Sequence, residues 1–194
     1  MACDNFLWFP AAATGGLLNE AATKPQGESQ DKWFNSKGAF ECLQFGFGVA
    51  QPDTTGSASG GASAGKAKFE EFTIEKFVDL ASVPLYSACC AGAHFPSVCL
   101  AIRKAGGSNL LYLQYIFRMV FVTGINWSGG GGEEAPKESI KFKFGAMGIQ
   151  YVKQLSTGGP GTPIQVMWSQ ITNKPTLEVP SLGGAPQFLG VTQT

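Results

Sequence analysis

Short stretches in which hydrophobic and polar residues alternate recur along the chain, and they predict β-strands. In residues 141–144 two phenylalanines alternate with two lysines, which is typical of a strand with one buried face and one solvated face. Residues 98–103 alternate large apolar side chains with small or charged ones, and residues 44–48 alternate two phenylalanines with glutamine and glycine. These patterns favour half-buried strands of an antiparallel sheet.

The longest apolar stretch, residues 110–122, carries hydrophobic side chains at both odd and even positions. It is rich in aromatic and β-branched residues, so we expect a long central strand there. Further strands are predicted over residues 69–77, 146–154 and 164–169.

Only one stretch predicts a helix. Ser82 is a suitable N-cap, residues 85–91 contain no β-branched residue, and Gly92 is placed to end the helix. Many strands with a single short helix indicate a mainly β fold, an antiparallel β-barrel of two packed sheets with one short flanking α-helix and a long extended loop. The 194 residues fit one domain, 1–194.

Three stretches rich in glycine, serine or proline separate the predicted strands, at residues 52–65, 128–132 and 156–163. A compact domain rarely keeps a structureless loop as long as the first of these. We therefore expect residues 52–65 to act outside the barrel.

The composition excludes several classes of partner. Hydrophobic residues make up 44% and charged residues only 14%, which indicates a folded chain with part of its surface covered by neighbours. Lysine plus arginine equals aspartate plus glutamate, 14 each, so there is no basic field for nucleic acid or anionic lipid. Residues 110–122 are too short for a membrane-spanning helix, which needs about 20 residues.

The cysteines and the N-terminal residues bear on the compartment. Five cysteines cannot all pair within one chain, and Cys89 and Cys90 are adjacent, so we predict reduced thiols and a cytoplasmic protein. No positively charged segment precedes the apolar residues 6–9, which argues against a signal peptide.

Two motifs of enzymes occur in the glycine-rich stretch, and neither fits its chemistry. Residues 60–66 have the spacing of a phosphate-binding loop, but Ala67 stands where a hydroxyl should bind magnesium. Residues 61–65 match the Gly-x-Ser-x-Gly nucleophile elbow, but no helix is predicted after the serine. The single histidine, His94, lies near the predicted helix end, so we predict neither nucleotide binding nor ester hydrolysis.

No other set of residues predicts catalysis, a cofactor or a metal. Cys89, Cys90, His94 and Cys99 could ligate a metal, but their spacing matches no zinc pattern of paired ligands. The adjacent carboxylates at residues 70–71 and 133–134 point to opposite faces of a strand, so neither pair can act as joint acid and base. We predict a protein that is not an enzyme and has no cofactor.

Several separated stretches, in the right order, resemble the haemolysin-coregulated protein (Hcp) family of type VI secretion tube proteins. The similar stretches are Gly-Glu-Ser-x-Asp-Lys at 27–32, the aromatic strand at 43–49, the glycine-rich run at 60–66, the strand at 72–79, the segment at 90–107 with its His-Phe-Pro, and Trp168 with Asn173. The resemblance covers a core of about residues 27–175. Residues 10–26 are an insertion and residues 176–194 an extension, which we expect to be loosely ordered or docked on a neighbour.

The resemblance implies a structural subunit that forms homohexameric rings, which stack into a tube. It also implies partners: a spike of the VgrG and PAAR type, a contractile sheath, and small effector proteins carried in the ring lumen. A member of this family assembles in the cytoplasm and is secreted by the type VI system without a signal peptide.

Two sets of residues are candidate contact sites. Because Phe45 and Phe47 should face the core, Gln44, Gly46 and Gly48 are predicted to face the lumen, although a closely packed backbone would explain the glycines equally well. We predict that residues 51–66 reach the adjacent ring. The candidate stacking residues are Gly60, Gly61, Gly65 and Lys66.

Two other functions fit the same pattern. One is a phage-tail-like tube subunit of another contractile injection system. The other is a secreted carbohydrate-binding β-sandwich, whose stacking platforms would come from the four tryptophans, Trp8, Trp33, Trp127 and Trp168.

Overall fold

The computed structural model describes residues 3–18, 23–51, 66–104, 109–131 and 135–191, and it confirms a mainly antiparallel β fold with one flanking α-helix in that part of the chain. Eight strands form a sheet that curls into a half-barrel, and two short strands form a separate ribbon. In chain order the strands are β1 Cys3–Trp8, β2 Phe40–Glu41, β3 Gln44–Gly46, β4 Val49–Ala50, β5 Lys68–Phe69, β6 Phe72–Phe77, β7 His94–Lys104, β8 Leu111–Ser128, β9 Lys137–Tyr151 and β10 Ile164–Ser169. The helix α1 spans Ser82–Ala91, and a short 3₁₀ turn spans Asn35–Lys37. Among the described residues no helix is long and apolar enough to cross a membrane.

The strand order in the main sheet is β2-β1-β7-β8-β9-β6-β3, with every pairing antiparallel. The long strand β9 pairs with β6 through its first part and with β10 through its last part. Residues 141–144 and 146–154 were predicted as two strands, which is wrong, because Gly145 continues one strand through both stretches. Within the described residues β2, β3 and β10 are the edges of this sheet.

A line of irregular positions crosses three neighbouring strands and curls the sheet. Pro96 interrupts the pairing of β7, and Met119 of β8 has a φ of 51°, a left-handed value that is uncommon outside glycine. Gly145 of β9 lies opposite Met119, where an added Cβ would come within 2.5 Å of Ile171. Across this line the inner-face core positions of β8 change from odd numbers (115 and 117) to even numbers (120 and 122). Leu111 and Ile116 are also buried on the outer face, so residues 110–122 are apolar at both odd and even positions.

The inner face of the sheet holds an aromatic core. Phe142 and Phe144 are buried here while the lysines between them are exposed, as the alternation predicts. The ring centroids of Phe72 and Phe117 stack at 4.4 Å, and Phe142 stacks on Phe72 at 5.6 Å. Burial of these large side chains, each contributing about 1.5–3 kcal/mol, stabilises the curl.

Helix α1 ends as predicted but begins differently. Gly92 has a φ of 64° and its N–H bonds back to Ala88 and Cys89, the left-handed ending that glycine favours. The N-cap is Ala81, so the predicted Ser82 cap is wrong. The Ser82 hydroxyl instead accepts a hydrogen bond from the Asp79 N–H and donates one to a buried glutamate.

The outer face of β1, β7, β8 and β9 is covered by the chain itself. Residues 27–39 lie over one half, where Phe6 stacks on Phe34 at 4.0 Å between ring centroids. The tail lies over the other half: the Gln114 side chain exchanges two hydrogen bonds with the backbone of Leu189, at 3.0 and 2.9 Å, and Arg118 donates to the carbonyl of Gly184. The described part of the tail, residues 176–191, is therefore docked on its own sheet, which corrects the expectation of a loose or neighbour-bound extension.

The two most distinctive similar stretches meet in space. The Asp31 carboxylate accepts hydrogen bonds from the N–H groups of Trp33 and Phe34, both at 3.0 Å, and pairs with Arg103 at 2.6 Å. Burial acts to raise the pKa of Asp31, but the bonds from Phe34, Arg103 and Trp33 outweigh it and lower the pKa. Gly27 is needed because an added Cβ would lie 2.4 Å from the carbonyl oxygen of Ala39. These residues join the 27–39 segment to the sheet, which is a structural role.

Candidate assembly surfaces

The predicted lumen residues lie on or beside β3, at one edge of the sheet. Phe45 and Phe47 turn to the core side, where Phe47 packs edge-on to Tyr115 at 5.1 Å between ring centroids. Gln44 is exposed on the other side and donates a hydrogen bond of 2.6 Å from its amide to Glu75 of β6. The side-chain alternation predicted for residues 44–48 is therefore present.

Within the described residues, no neighbouring backbone comes so close to Gly46 or Gly48 that only glycine would fit there. An added Cβ at Gly46 would meet only the Thr73 hydroxyl, at an ordinary contact distance of 3.5 Å. At Gly48 it would approach the carboxylate of Glu70 within 2.5 Å, and that carboxylate is the end of a flexible side chain. Close packing inside this subunit thus gives no reason for Gly46.

The polar character of this face continues across β6 and β9. The register places Gly46 beside Thr73, and Thr73 beside Lys141. Lys143, two residues along, lies 4.0 Å from the carboxylate of Glu71, which also accepts a hydrogen bond from Thr123. We call this the polar sheet face; its outward side chains are those of Gln44, Glu71, Thr73, Glu75, Thr123, Lys141 and Lys143.

Most of the predicted stacking loop lies outside the described residues, including Gly60, Gly61 and Gly65. Lys66 is described and exposed. It immediately precedes the ribbon of β4 and β5, in which Val49 pairs with Phe69. The predicted strand over residues 69–77 is divided at Glu70 and Glu71, because β5 belongs to the ribbon and β6 to the main sheet.

Helix α1 presents a second surface, which the sequence did not single out. The helix contains no charged residue, and Val83 and Tyr86 on its outer side are exposed. Leu80 before the helix and Trp127 of β8 are exposed beside it, with the Trp127 and Tyr86 rings 5.8 Å apart. We call this the α1 face; its members are Leu17, Leu80, Val83, Tyr86 and Trp127.

A buried ionic network lies directly beneath the α1 face. Lys76 and Glu138 are 1% and 0% exposed, and the ammonium of Lys76 contacts the carboxylates of Glu138 at 2.9 Å and Asp79 at 2.6 Å. The hydroxyl of Ser82 donates to the same Glu138 oxygen at 2.7 Å, and the indole N–H of Trp127 donates to the other oxygen at 2.9 Å. The sequence contains a signal for this network. Lys76 alternates in phase with the buried Ile74, and Glu138 in phase with the buried Phe142, so alternation places both charged residues on the core side.

The candidate metal residues do not form a site. Among the residues that the structure describes, no group of three or more histidine, cysteine, aspartate or glutamate side chains could hold a metal. Cys42 and Cys99 are buried, and burial raises the pKa of each thiol to about 12. His94 instead pairs with Thr14 through two backbone hydrogen bonds, which attaches the 10–18 segment to β7.

Comparison with known proteins gives consistent results. Residues 17–151 match the family described as "Type VI secretion system effector, Hcp". The chain is 31% identical over 106 residues to the protein Hcp1 of Pseudomonas aeruginosa, a match covering 54% of this chain and 65% of that protein. The matched stretch thus spans a little less than two thirds of that relative's length.

Two solved structures are similar over nearly the whole chain. One, described as a type six secretion system protein, is 32% identical with a TM-score of 0.76, covering 90% of this chain and 100% of the other. Hcp1 from Salmonella typhimurium is 28% identical with a TM-score of 0.68, covering 91% and 100%.

Proposed function

This chain belongs to the Hcp family of type VI secretion proteins, and from that premise we propose that it forms stacked hexameric rings of an expelled inner tube. The proposal is of a structural subunit rather than an enzyme. The observation that carries it is the family match over residues 17–151, joined to a curled sheet with two unlike outward surfaces, one polar and one apolar. A tube subunit needs both, because one side meets water and cargo while others meet copies of itself.

The polar sheet face is our candidate for the lumen wall. Its charges balance: Glu71 and Glu75 stand against Lys141 and Lys143, with Glu71 4.0 Å from Lys143. A surface with balanced charge and with glycine at Gly46 offers no strong attraction to any one cargo. Such a wall lets effector proteins pass or lodge without tight binding.

Ring closure needs two different surfaces of each subunit to meet. Such a heterologous contact closes into a ring when the rotation between neighbours divides the circle. The free edges of β2, β3 and β10 in the described part of the sheet would otherwise offer unpaired backbone groups to any strand. We propose that neighbouring subunits cover them.

Ring stacking is assigned to the glycine-rich loop with Gly60, Gly61, Gly65 and Lys66. Support comes from its composition and from Lys66, which is exposed beside the β4–β5 ribbon. Deletion of residues 55–64 should leave single rings intact and abolish stacks in electron micrographs. Stacked rings from the deletion variant would contradict this assignment.

The proposed partners are a VgrG- and PAAR-type spike, a contractile sheath and small effectors, with assembly in the cytoplasm before expulsion. A secretion assay tests this function. The gene, placed in a strain that lacks its own tube protein, should restore release of the chain into the medium only when the sheath is intact. Release that does not depend on the sheath would contradict the proposal.

A further inference from the structure

We infer that the α1 face binds the apolar end of β10 in the next copy of this chain, with the Tyr86–Trp127 pair as the anchor of the contact. This inference rests on the proposed ring and names the two surfaces that close it. Three independent features of the described residues support it: the exposed apolar side of α1, the buried support beneath Trp127, and an unlike apolar patch on β10.

The outer side of α1 is largely apolar, and its exposed polar residue is Ser87. Leu85 and Ala88 pack inward and are buried, while Val83 is 72% exposed and Tyr86 is also exposed. A helix that is hydrophobic around its circumference is usually covered on both sides. The absence of any charged residue in α1 means that covering it buries no charge.

The apolar surface continues beyond the helix at both ends. Leu17 is 80% exposed and is held against the last turn by a hydrogen bond from its N–H to the Ala91 carbonyl, at 2.9 Å. Gly16 permits this approach, since an added Cβ would lie 2.2 Å from the same carbonyl oxygen. Leu80 precedes the helix and is exposed. Leu17 and Leu80 thus add exposed apolar side chains near the two ends of the helix.

A hydrogen bond to a buried residue fixes the orientation of Trp127. The ring is 51% exposed, yet its N–H donates to Glu138, which is fully buried and paired with Lys76. A tryptophan whose orientation is already fixed loses little side-chain freedom on binding, which is why such residues dominate the energy of many interfaces. The Tyr86 ring, 5.8 Å away, extends the rigid aromatic surface.

The same chain carries a patch that suits this face. Ile164 and Val166 of β10 and Tyr151 of β9 are exposed, and they lie on the core side of the sheet beyond the end of β6. Neither strand β10 nor helix α1 contains a charged residue. Contact between α1 and β10 therefore buries no charged side chain of either element, which suits binding between two copies of this chain.

A cleft beside α1 offers room for side chains of the β10 patch. A cleft of about 440 Å³ lies between α1 and the chain at Leu18 and Thr23, with Leu80, Val83, Pro84, Ser87 and Ala88 on its helix side. Branched side chains such as Ile164 and Val166 are of a size to enter it. Because the helix face and the strand patch differ, their contact is heterologous and repeats around a ring.

Crosslinking tests the contact in the assembled protein. Cys90 is an exposed thiol on α1, so a Val166→Cys change would place a second thiol on the opposing patch. In a Cys3→Ser background, a short bis-maleimide should join neighbouring subunits into a ladder of covalent oligomers ending at the hexamer. The matched control is Lys143→Cys on the polar sheet face, from which we expect no ladder.

Substitutions test the anchor. Trp127→Ala should raise the concentration at which rings dissociate at least tenfold. Trp127→Phe, which keeps one aromatic ring but loses the indole N–H and part of the apolar area, should raise it less. Lys141→Ala should leave it unchanged. Rings of the Cys3→Ser/Val166→Cys variant that give no ladder, together with Trp127→Ala rings that dissociate at the wild-type concentration, would overturn this inference and leave the proposed function standing. A wild-type monomer at every concentration would overturn both.

Discussion

The polar sheet face and the α1 face are both outward surfaces of the same half-barrel, but one is polar and the other is apolar. On the polar face each outward carboxylate has a partner, such as Gln44 for Glu75 at 2.6 Å. On the α1 face the outward side chains are leucine, valine, tyrosine and tryptophan, with the Lys76–Glu138 pair buried beneath them and the exposed carboxylate of Glu28 hydrogen-bonded to the Leu80 N–H. One surface is stable in water as it stands, and the other gains stability when it is covered.

The two faces also differ in where their charged residues lie. With only 14% charged residues, a fully buried Lys76–Glu138 pair is a notable use of two of them. A buried pair is weak evidence for stability as such. Its position under Trp127 and at the start of α1 instead indicates that it orients an exposed surface.

The largest effect is expected from removing the support of the α1 face. Glu138→Ala leaves the Lys76 ammonium buried with Asp79 as its only carboxylate partner among the described residues, and it removes the acceptor of Trp127. We expect a loss of about 3–5 kcal/mol in the free energy of unfolding, measured in urea. The control Glu71→Ala removes an exposed carboxylate and should cost less than about 1 kcal/mol. Equal losses of unfolding free energy in Glu138→Ala and Glu71→Ala would contradict the proposed difference between the two faces.

A charge placed on the α1 face should act on assembly rather than on folding. Val83 is exposed, so Val83→Glu should change the free energy of unfolding of the subunit by no more than about 0.5 kcal/mol. Ring dissociation should shift by tenfold or more, because the carboxylate would be buried without a partner. Thr73→Glu on the polar face is the matched control. Rings that form equally well with Val83→Glu would show that the α1 face stays open to water.

A bulky residue on the polar face should leave assembly unaffected and obstruct the channel. At Gly46 an added Cβ has room beside Thr73, so Gly46→Trp should fold and form rings of normal mass. Co-purification with effector proteins should fall, as measured by pull-down from cells that produce both. Loss of rings would instead mean that Gly46 packs against a neighbouring subunit.

The smallest effect is expected for the exposed ion pair. Lys143 and Glu71 are 4.0 Å apart at the surface, so Lys143→Gln should cost between 0 and about 1 kcal/mol and less at high salt. Thermal unfolding at low and high salt measures this. A large, salt-independent loss would show that this pair is covered in the subunit.

The sequence predicts the fold correctly where the pattern depends only on residues that are neighbours in the chain. Alternation placed Phe142 and Phe144 inside with their lysines outside, and Gly92 marked the end of α1, because these features depend on neighbours in the chain. The change of phase at Met119 could not be predicted, since it coincides with irregular positions at Pro96 and Gly145 on the two neighbouring strands, which are distant in sequence. The joining of β9 through Gly145 has the same origin.

The candidate surfaces were predictable only in part. The alternation of Gln44, Phe45 and Gly46 is a local pattern, so the polar face could be anticipated at that edge. The α1 face could not, because Tyr86 and Trp127 are brought together by tertiary packing. The pairing of Lys76 with Glu138 and the docking of the tail on β8 likewise depend on contacts between residues far apart in the sequence.

The central claim, that this subunit closes into a ring, is tested most directly by the mass of the purified chain in solution. Light scattering after gel filtration, with negative-stain microscopy of the same peak, supplies both mass and shape. The account predicts a mass six times that of one chain and rings with a central hole. A monomer at high concentration would contradict it.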